Sequence, residues 1–236
     1  MTEALVPQLA PQGSLFDRLR AAAQPHWGDY TDHRFVRGLG DGTLPEAAFR
    51  YYLGQDYLFL IHFARAYALA VYKSESLEDM RAANDAVGHI LAETSLHLRY
   101  CAGWGMSEAD VVALPEDPAC MAYTRYVLER GMAGDILDLQ VALAPCVVGY
   151  AEIGLALKAD ARTKLEGNPY RDWIETYGGD DYVGVARASI ATLERLFASR
   201  GSEARIPSLS RTFTEATRLE VRFWQMGLDA MTRNAE

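Results

Sequence analysis

The chain has 236 residues, of which 50% are hydrophobic and 23% are charged. This composition is that of a globular protein and excludes a disordered chain, a collagen and a disulfide-stabilised miniprotein. The 23 basic and 32 acidic side chains give a formal net charge of −9. Because that charge disfavours contact with phosphate backbones and anionic membranes, we expect neither nucleic acid nor a membrane as a partner.

The cysteines and the N-terminal segment suggest the compartment. Cys101, Cys120 and Cys146 are an odd number without a Cys-x-x-Cys pair, so they predict neither a disulfide framework nor a zinc site and fit a reducing cytoplasm. Residues 1–10 lack the pattern of a secretory signal, and no run of about 18 apolar residues predicts a membrane span. We expect a soluble, cytoplasmic protein with a single domain, in which residues 1–12 are a loosely ordered extension.

Prolines and capping patterns divide the chain into helices, because proline is disfavoured inside a helix. Residues Thr43 to Glu46 match a capping box, and Ser76 and Ser107 each precede acidic residues that a helix dipole favours in its first turn. Strand-like alternation is not evident, so we predict an all-α fold. The predicted helices cover residues 14–23, 30–38, 44–73, 77–103, 108–114, 118–132, 135–161, 169–177, 180–199 and 208–232.

The helix over residues 44–73 carries an acidic side chain on an apolar face. Asp56 shares this face with Tyr52, Phe59 and Phe63, because residues three, four and seven positions apart lie on one side of a helix. A carboxylate among aromatic rings loses hydration and needs a partner. We interpret Asp56 either as a buried structural hydrogen bond or as a contact to a ligand.

The next long helix has Glu93 and His97 at i and i+4, a spacing that is compatible with metal binding. A mononuclear or di-iron site needs further ligands on partner helices, such as a second Glu-x-x-His motif. His62 and His89 are available, but the motif does not recur. We therefore interpret Glu93 and His97 as a structural hydrogen-bonded pair.

The helix over residues 135–161 is apolar on nearly every face, which predicts burial on all sides. Pro145 lies inside it and is expected to free the carbonyl of Val141 and to bend the helix. Cys146 follows directly, with Tyr150 one turn later on the same face. A buried free cysteine is most often a small core side chain. The alternative is a nucleophile, which needs a nearby base or donor that favours the thiolate.

The last helix groups Glu220 with Phe223 and Trp224 at i, i+3 and i+4. A carboxyl group beside two aromatic rings can have the raised pKa that suits acid–base chemistry. Taken alone, the pattern is better interpreted as a surface glutamate whose aromatic neighbours lie in the core.

Four segments, in their order and separations, resemble the TenA / thiaminase II family, and the resemblance covers nearly the whole chain. It implies a haem-oxygenase-like multi-helix bundle and a homotetramer. The segments are Tyr52 to Asp56, Ala142 to Tyr150, Asn168 to Tyr177 and Glu220 to Trp224.

Carried over residue by residue, the resemblance implies that Cys146 is the nucleophile, that Glu220 is the acid/base and that Asp56 hydrogen-bonds the amino edge of a pyrimidine. Cys146 places the chain in the cysteine-containing subclass. The implied reaction is hydrolysis of 4-amino-5-aminomethyl-2-methylpyrimidine to the 5-hydroxymethyl pyrimidine and ammonia, by addition of the cysteine to the ring. Cleavage of thiamin to pyrimidine and thiazole is the implied secondary activity. No metal or organic cofactor is implied.

The resemblance also implies a pocket lining. Tyr123, Tyr150 and Tyr177 are expected to donate hydroxyl hydrogen bonds, and Phe223 is expected to stack on the pyrimidine. Phe59 stands where the family often has tyrosine, so stacking is preserved and one hydrogen bond is lost.

Three other functions stay open. The first is a haem-oxygenase-like metal oxidase that uses Glu93 and His97. The second is a protein that binds thiamin or a pyrimidine without catalysis. The third is a regulator acting on DNA, against which the net charge of −9 argues.

Overall fold

Eleven α-helices and one short 3-10 helix make up the computed structural model, which describes residues 8–233 apart from the side chains of Leu96 and Arg233. Because no β-strand occurs within the described residues, the expected all-α fold is confirmed. The elements are α1 (Leu15–Ala22), α2 (His26–Thr31), α3 (Arg34–Asp41), α4 (Glu46–Lys73), α5 (Leu77–Gly103), α6 (Glu108–Val112), α7 (Pro118–Ala133), α8 (Ile136–Ala159), α9 (Arg171–Tyr177), α10 (Asp180–Arg200), the 3-10 helix (Glu203–Arg205) and α11 (Ile206–Arg233).

Two of the three predicted helix starts are found as expected. Ser76 and Ser107 precede α5 and α6, and each hydroxyl accepts a hydrogen bond from the main-chain nitrogen three residues later, at 3.0 and 3.2 Å. The capping box predicted at Thr43 is wrong. The Thr43 hydroxyl donates instead to Asp41 Oδ1 at 2.6 Å, and α4 follows Pro45 without a side-chain cap.

The single helix predicted over residues 30–38 is also wrong, because α2 and α3 are separate helices with a break between them. His33 has an extended main chain (φ −66°, ψ 152°), and its Nδ1 accepts a hydrogen bond from the main-chain nitrogen of Phe35 at 3.2 Å. Histidine is not among the residues that usually cap a helix, so the sequence carries no recognisable signal for this break.

Helix α8 lies at the centre of the core, where it contacts α7, α9, α10 and α11. A capping box of Asp135 and Asp138 begins the helix, which continues through Pro145. By length and composition α8 is suited to cross a membrane, but 83% of its most apolar window is buried inside the protein. The prediction of a helix buried on nearly all sides is therefore confirmed.

The start of the described chain packs on this core. Residues 1–12 were expected to form a loosely ordered extension, of which residues 1–7 lie outside the described residues. Leu9 and Ala10 are buried, with exposed fractions of 7% and 2%. This part of the segment therefore contributes to the core, because its apolar side chains are covered.

Helix α4 packs against α5, α7 and α11, and α11 also packs against α8. Trp224 of α11 is fully buried at this junction. The centroid of its ring lies 5.2 Å from that of Tyr52 on α4 and 5.2 Å from that of Tyr150 on α8. Polar side chains that these three helices turn inward are therefore close to one another.

Candidate active site

All the predicted site residues lie in one buried region of the protein, to which five helices contribute. None of these side chains is more exposed than Cys146, at 8%. They come from α4 (Asp56 and Phe59), α7 (Tyr123), α8 (Cys146 and Tyr150), α9 (Tyr177) and α11 (Glu220 and Phe223).

Glu220 occupies the polar centre of this region. It is 1% exposed, so its interpretation as a surface glutamate is wrong. The Tyr123 hydroxyl donates to Glu220 Oε1 at 2.7 Å, and the Cys146 thiol is a near neighbour of the same carboxyl group. Burial raises the pKa of Glu220 to about 8, even though both neighbours act to lower it. The carboxyl group therefore carries a proton at neutral pH.

Cys146 is a thiol in these surroundings. Burial raises the pKa of Cys146 well above its usual range, and the nearby acidic side chains of Glu220, Asp56 and Glu93 raise it further. The expectation that a nucleophilic cysteine has neighbours favouring the thiolate is not met, because these neighbours are acidic. The sulfur must therefore lose its proton as it attacks, and Glu220 is the nearby group that can take that proton once its own has moved.

Asp56 has two partners on one of its carboxylate oxygens. His97 Nε2 lies 2.7 Å from Oδ2, and the Tyr52 hydroxyl donates to the same oxygen at 3.2 Å. The Tyr52 hydroxyl accepts in turn from Trp173 Nε1 at 3.4 Å and lies 3.2 Å from the Tyr150 hydroxyl. Asp56 Oδ1 accepts no hydrogen bond from the part of the chain that the structure describes.

Tyr177 is held by Glu93, to whose Oε1 its hydroxyl donates at 2.6 Å. The Tyr177 ring meets the Tyr150 ring edge-on, with centroids 4.8 Å apart, and burial raises the pKa of Glu93. His97 Nδ1 lies 3.0 Å from the main-chain oxygen of Glu93. Glu93 and His97 are thus hydrogen-bonded to each other through the main-chain oxygen of Glu93. The side chain of Glu93 bonds to Tyr177, and that of His97 bonds to Asp56.

The metal-oxidase alternative assigned Glu93 and His97 as ligands. The side chain of each has a predicted site residue as its partner instead, Tyr177 for Glu93 and Asp56 for His97. Among residues 8–233, no group of three or more His, Cys, Asp and Glu side chains is arranged to hold a metal ion.

Phe59 and Phe223 form an aromatic wall beside Tyr123. The centroid of Phe59 lies 5.1 Å from that of Tyr123 and 5.4 Å from that of Phe223, and Phe223 meets Tyr52 edge-on at 6.0 Å. Aromatic rings attract a planar heterocycle by stacking. The wall has no hydroxyl at Phe59, so polar contacts to a ligand have to come from other side chains.

Sequence reasoning missed three further side chains of the region. Burial and the nearby Cys146 raise the pKa of Tyr67 and of Tyr182, so both hydroxyls are within electrostatic range of the sulfur. Tyr52, the partner of Asp56, was detectable because it lies four residues earlier on the same helix face. Tyr182, near the start of α10, follows no pattern that the sequence shows.

The two other cysteines are buried and free but lie apart from these contacts. The Cys120 thiol donates to the main-chain oxygen of Gln55 at 3.5 Å, and burial raises its pKa. Cys101 belongs to a small apolar cluster with Tyr57 and Val111. Both therefore have the surroundings of core side chains.

Known proteins resemble the chain over nearly all of its length. Residues 20–230 match the TENA/THI-4/PQQC family. A protein of Haemophilus influenzae without an assigned function is 39% identical over 215 residues, which cover 91% of this chain and 99% of that protein. An aminopyrimidine aminohydrolase of Halalkalibacterium halodurans is 34% identical over 206 residues, which cover 86% and 91% of the two chains.

Solved structures agree with these sequences. A TenA family transcription regulator of Silicibacter sp. TM1040 is 50% identical, with a TM-score of 0.87 over 92% of this chain and 98% of that one. A Shewanella denitrificans domain with a heme oxygenase-like fold is 16% identical, with a TM-score of 0.72 over 92% and 93% of the chains, so the expected haem-oxygenase-like fold is confirmed. From its sequence and its fold alike, the chain belongs to the TENA/THI-4/PQQC family.

Proposed function

We propose that this chain is a hydrolase of thiamin salvage that converts 4-amino-5-aminomethyl-2-methylpyrimidine to the 5-hydroxymethyl pyrimidine and ammonia. Relatives in Halalkalibacterium halodurans and Bacillus subtilis that are named aminopyrimidine aminohydrolase support this class of reaction. The proposal rests on one observation above all. A thiol, a protonated carboxyl group and a hydrogen-bond acceptor meet in one buried aromatic region, in Cys146, Glu220 and Asp56.

In the first proposed step, the sulfur of Cys146 adds to ring carbon C6. The new S–C6 bond converts the C6–N1 double bond to a single bond, and N1 takes the proton of Glu220. The thiol gives its own proton to the carboxylate left on Glu220, so the net transfer runs from sulfur to ring nitrogen. Tyr123, which donates to Glu220 Oε1 at 2.7 Å, holds the carboxyl group in place for both transfers.

In the second step, the electrons of the 4-amino nitrogen expel the substituent on the C5 methylene, because the ring is no longer aromatic. The carbon–nitrogen bond of the protonated aminomethyl group breaks, ammonia leaves and an exocyclic methylene forms. Positive charge then spreads onto the 4-amino nitrogen, and Asp56, as acceptor of its hydrogen bond, stabilises that charge.

In the third step, water adds to the methylene carbon and releases a proton that the departed ammonia takes up. The S–C6 bond breaks, the N1 proton returns to sulfur through Glu220, and the aromatic ring is restored.

The other predicted site residues line the pocket in this scheme: Tyr150, Tyr177, Phe223 and Phe59. The steps need no cofactor, and with thiazole as the leaving group they would cleave thiamin as a secondary activity.

Incubation of the purified protein with the aminomethyl pyrimidine, and separately with thiamin, tests the function. We expect mass spectrometry to show hydroxymethyl pyrimidine, together with one equivalent of ammonia from the aminomethyl substrate. Binding of either compound without product would favour the alternative of a non-catalytic pyrimidine-binding protein and contradict the proposal.

We further propose that the chain works in the cytoplasm as a homotetramer, on the family resemblance that its motifs carry. Light scattering tests the assembly, for which we expect a particle of four chains and not a monomer of 26.2 kDa.

A further inference from the structure

His97 is a buried ionisable side chain beside the site that the steps above do not use. It is 4% exposed, and both of its ring nitrogens have partners. Nε2 lies 2.7 Å from Asp56 Oδ2, and Nδ1 lies 3.0 Å from the main-chain oxygen of Glu93. Because a main-chain oxygen can only accept, Nδ1 must carry a hydrogen.

The remaining proton is shared between Nε2 and Asp56. Burial acts to lower the pKa of His97, but the hydrogen bond to Asp56 and the charges of Asp56 and Glu93 raise it overall. A ring with both nitrogens protonated agrees with this direction and with the short distance of 2.7 Å between Nε2 and Asp56 Oδ2.

The arrangement leaves one oxygen of Asp56 for a ligand. His97 and Tyr52 both bond to Oδ2, whereas Oδ1 has no hydrogen-bond donor among the described residues. A carboxylate fixed on one side by a cation and a hydroxyl presents its other oxygen in a set direction. An amino group that approaches Oδ1 would complete the set of hydrogen bonds.

We propose that His97 is a positioning residue, an imidazolium that holds Asp56 by Oδ2 and turns Oδ1 toward the 4-amino group of the substrate. This inference rests on the aminopyrimidine substrate proposed above. A cationic partner at Oδ2 offsets part of the cost of burying a carboxylate among aromatic rings, and a carboxylate at this position stabilises the charge that the leaving step places on the 4-amino nitrogen.

Binding of two matched ligands tests the inference. The probes are 5-hydroxymethyl-2-methylpyrimidine with and without its 4-amino group, titrated by calorimetry into the unchanged protein and into His97→Leu and His97→Gln. We expect His97→Leu to weaken binding of the amino ligand by about ten-fold and to leave the other ligand unaffected. His97→Gln, whose amide can still donate to Asp56, should recover part of the loss.

His89→Gln is the matched control, since His89 is an exposed histidine of the same helix. Equal weakening of both ligands by His97→Leu would indicate a merely structural histidine, and no weakening of either would show that His97 does not act on binding. Either result overturns the inference. Failure of the unchanged protein to bind the amino ligand would instead contradict the proposed function, and the inference with it.

Nuclear magnetic resonance of the unchanged protein gives a second measurement that does not depend on how the variants fold. With nitrogen-15 in the histidine rings, we expect a directly bonded hydrogen on both nitrogens of His97 at neutral pH. A ring that carries only one hydrogen would overturn the assignment of an imidazolium.

Discussion

Glu220 shows, at the scale of one residue, how burial determines the chemistry of a side chain. The hydrogen bond from Tyr123 and the nearby Cys146 thiol favour the carboxylate, yet burial outweighs them and raises the pKa to about 8. A carboxyl group of this kind is a proton donor at neutral pH and becomes a base once its proton has moved to the substrate.

The raised pKa of Glu220 makes stability depend on pH. The unfolded chain ionises this group near 4.5 and the folded chain only near 8, so its contribution to stability is full below the lower value and is lost as pH rises toward the upper one. In Glu220→Gln that loss is absent. We expect the variant to gain on the order of a few kcal/mol relative to the unchanged protein between pH 5 and pH 8.

Urea unfolding of both proteins across this pH range measures the effect, and other titrating groups cancel in the difference. Glu215→Gln is the control, because Glu215 lies on the same helix at the surface, where it pairs with Arg218. A constant difference between Glu220→Gln and the unchanged protein over the whole range would contradict the raised pKa.

The site shows which residue-scale features a sequence can predict. Helical spacing was sufficient to place Tyr52 and Asp56 on one face. It could not pair Asp56 with His97, 41 residues away, or Tyr123 with Glu220, 97 residues away, because such contacts depend on how helices pack. The resemblance to a family supplied the predicted site residues, but the contacts of Glu93 with Tyr177 and of His97 with Asp56 became visible only from the packing.

At the scale of elements, α8 and α9 approach each other unusually closely. A Cβ atom on Gly154 of α8 would lie 2.3 Å from the main-chain nitrogen of Gly178 and 2.5 Å from the carbonyl carbon of Tyr177. Main-chain atoms cannot move aside as the end of a side chain can. Glycine at position 154 therefore leaves the space that the end of α9 occupies, and Tyr177 lies at that end.

Gly154→Ala should accordingly destabilise the protein by about 1–3 kcal/mol through overpacking and reduce hydrolysis by displacing Tyr177. Gly88→Ala in α5 is the matched control, since its Cβ would meet nothing within 4 Å and alanine favours a helix by about 0.5–1 kcal/mol over glycine. Thermal melts of the two variants should move in opposite directions. Equal melting temperatures would contradict the close approach.

The elements themselves were largely predictable, for reasons that are local. The serine caps at Ser76 and Ser107 and the apolar composition of α8 identified helices directly, because capping and burial leave short-range patterns. The break between α2 and α3 was missed because His33 caps α3 through an uncommon side-chain contact. The sequence at Thr43 matches a capping box, but the prediction is wrong because the Thr43 hydroxyl donates to Asp41 and does not cap α4.

At the scale of the whole molecule, the net charge of −9 bears on one alternative. A similar structure is that of a TenA family transcription regulator, a description that applies to that protein. A protein binds duplex DNA mainly by neutralising phosphates with basic side chains. In this acidic chain many arginines pair with its own carboxylates, as Arg18 does with Glu203 and Arg125 with Glu116, which leaves fewer cations for that purpose.

We therefore expect no binding to duplex DNA at physiological salt. Fluorescence anisotropy of a labelled duplex, with and without thiamin, measures it over a range of salt concentrations. Tight binding that weakens steeply with salt would contradict this expectation, because that dependence is the signature of phosphate contacts.

The role of Cys146 as the proposed nucleophile gives the most direct test of the whole account. Steady-state hydrolysis of the aminomethyl pyrimidine should be compared between the unchanged protein, Cys146→Ala and Cys120→Ala, with circular dichroism and melting curves to verify that each variant folds. The two cysteines are both buried and free, but Cys146 is a near neighbour of Glu220, whereas the Cys120 thiol donates to the main-chain oxygen of Gln55. We predict that Cys146→Ala is folded and has no measurable hydrolysis while Cys120→Ala remains active. Turnover by Cys146→Ala near that of the unchanged protein would contradict the account.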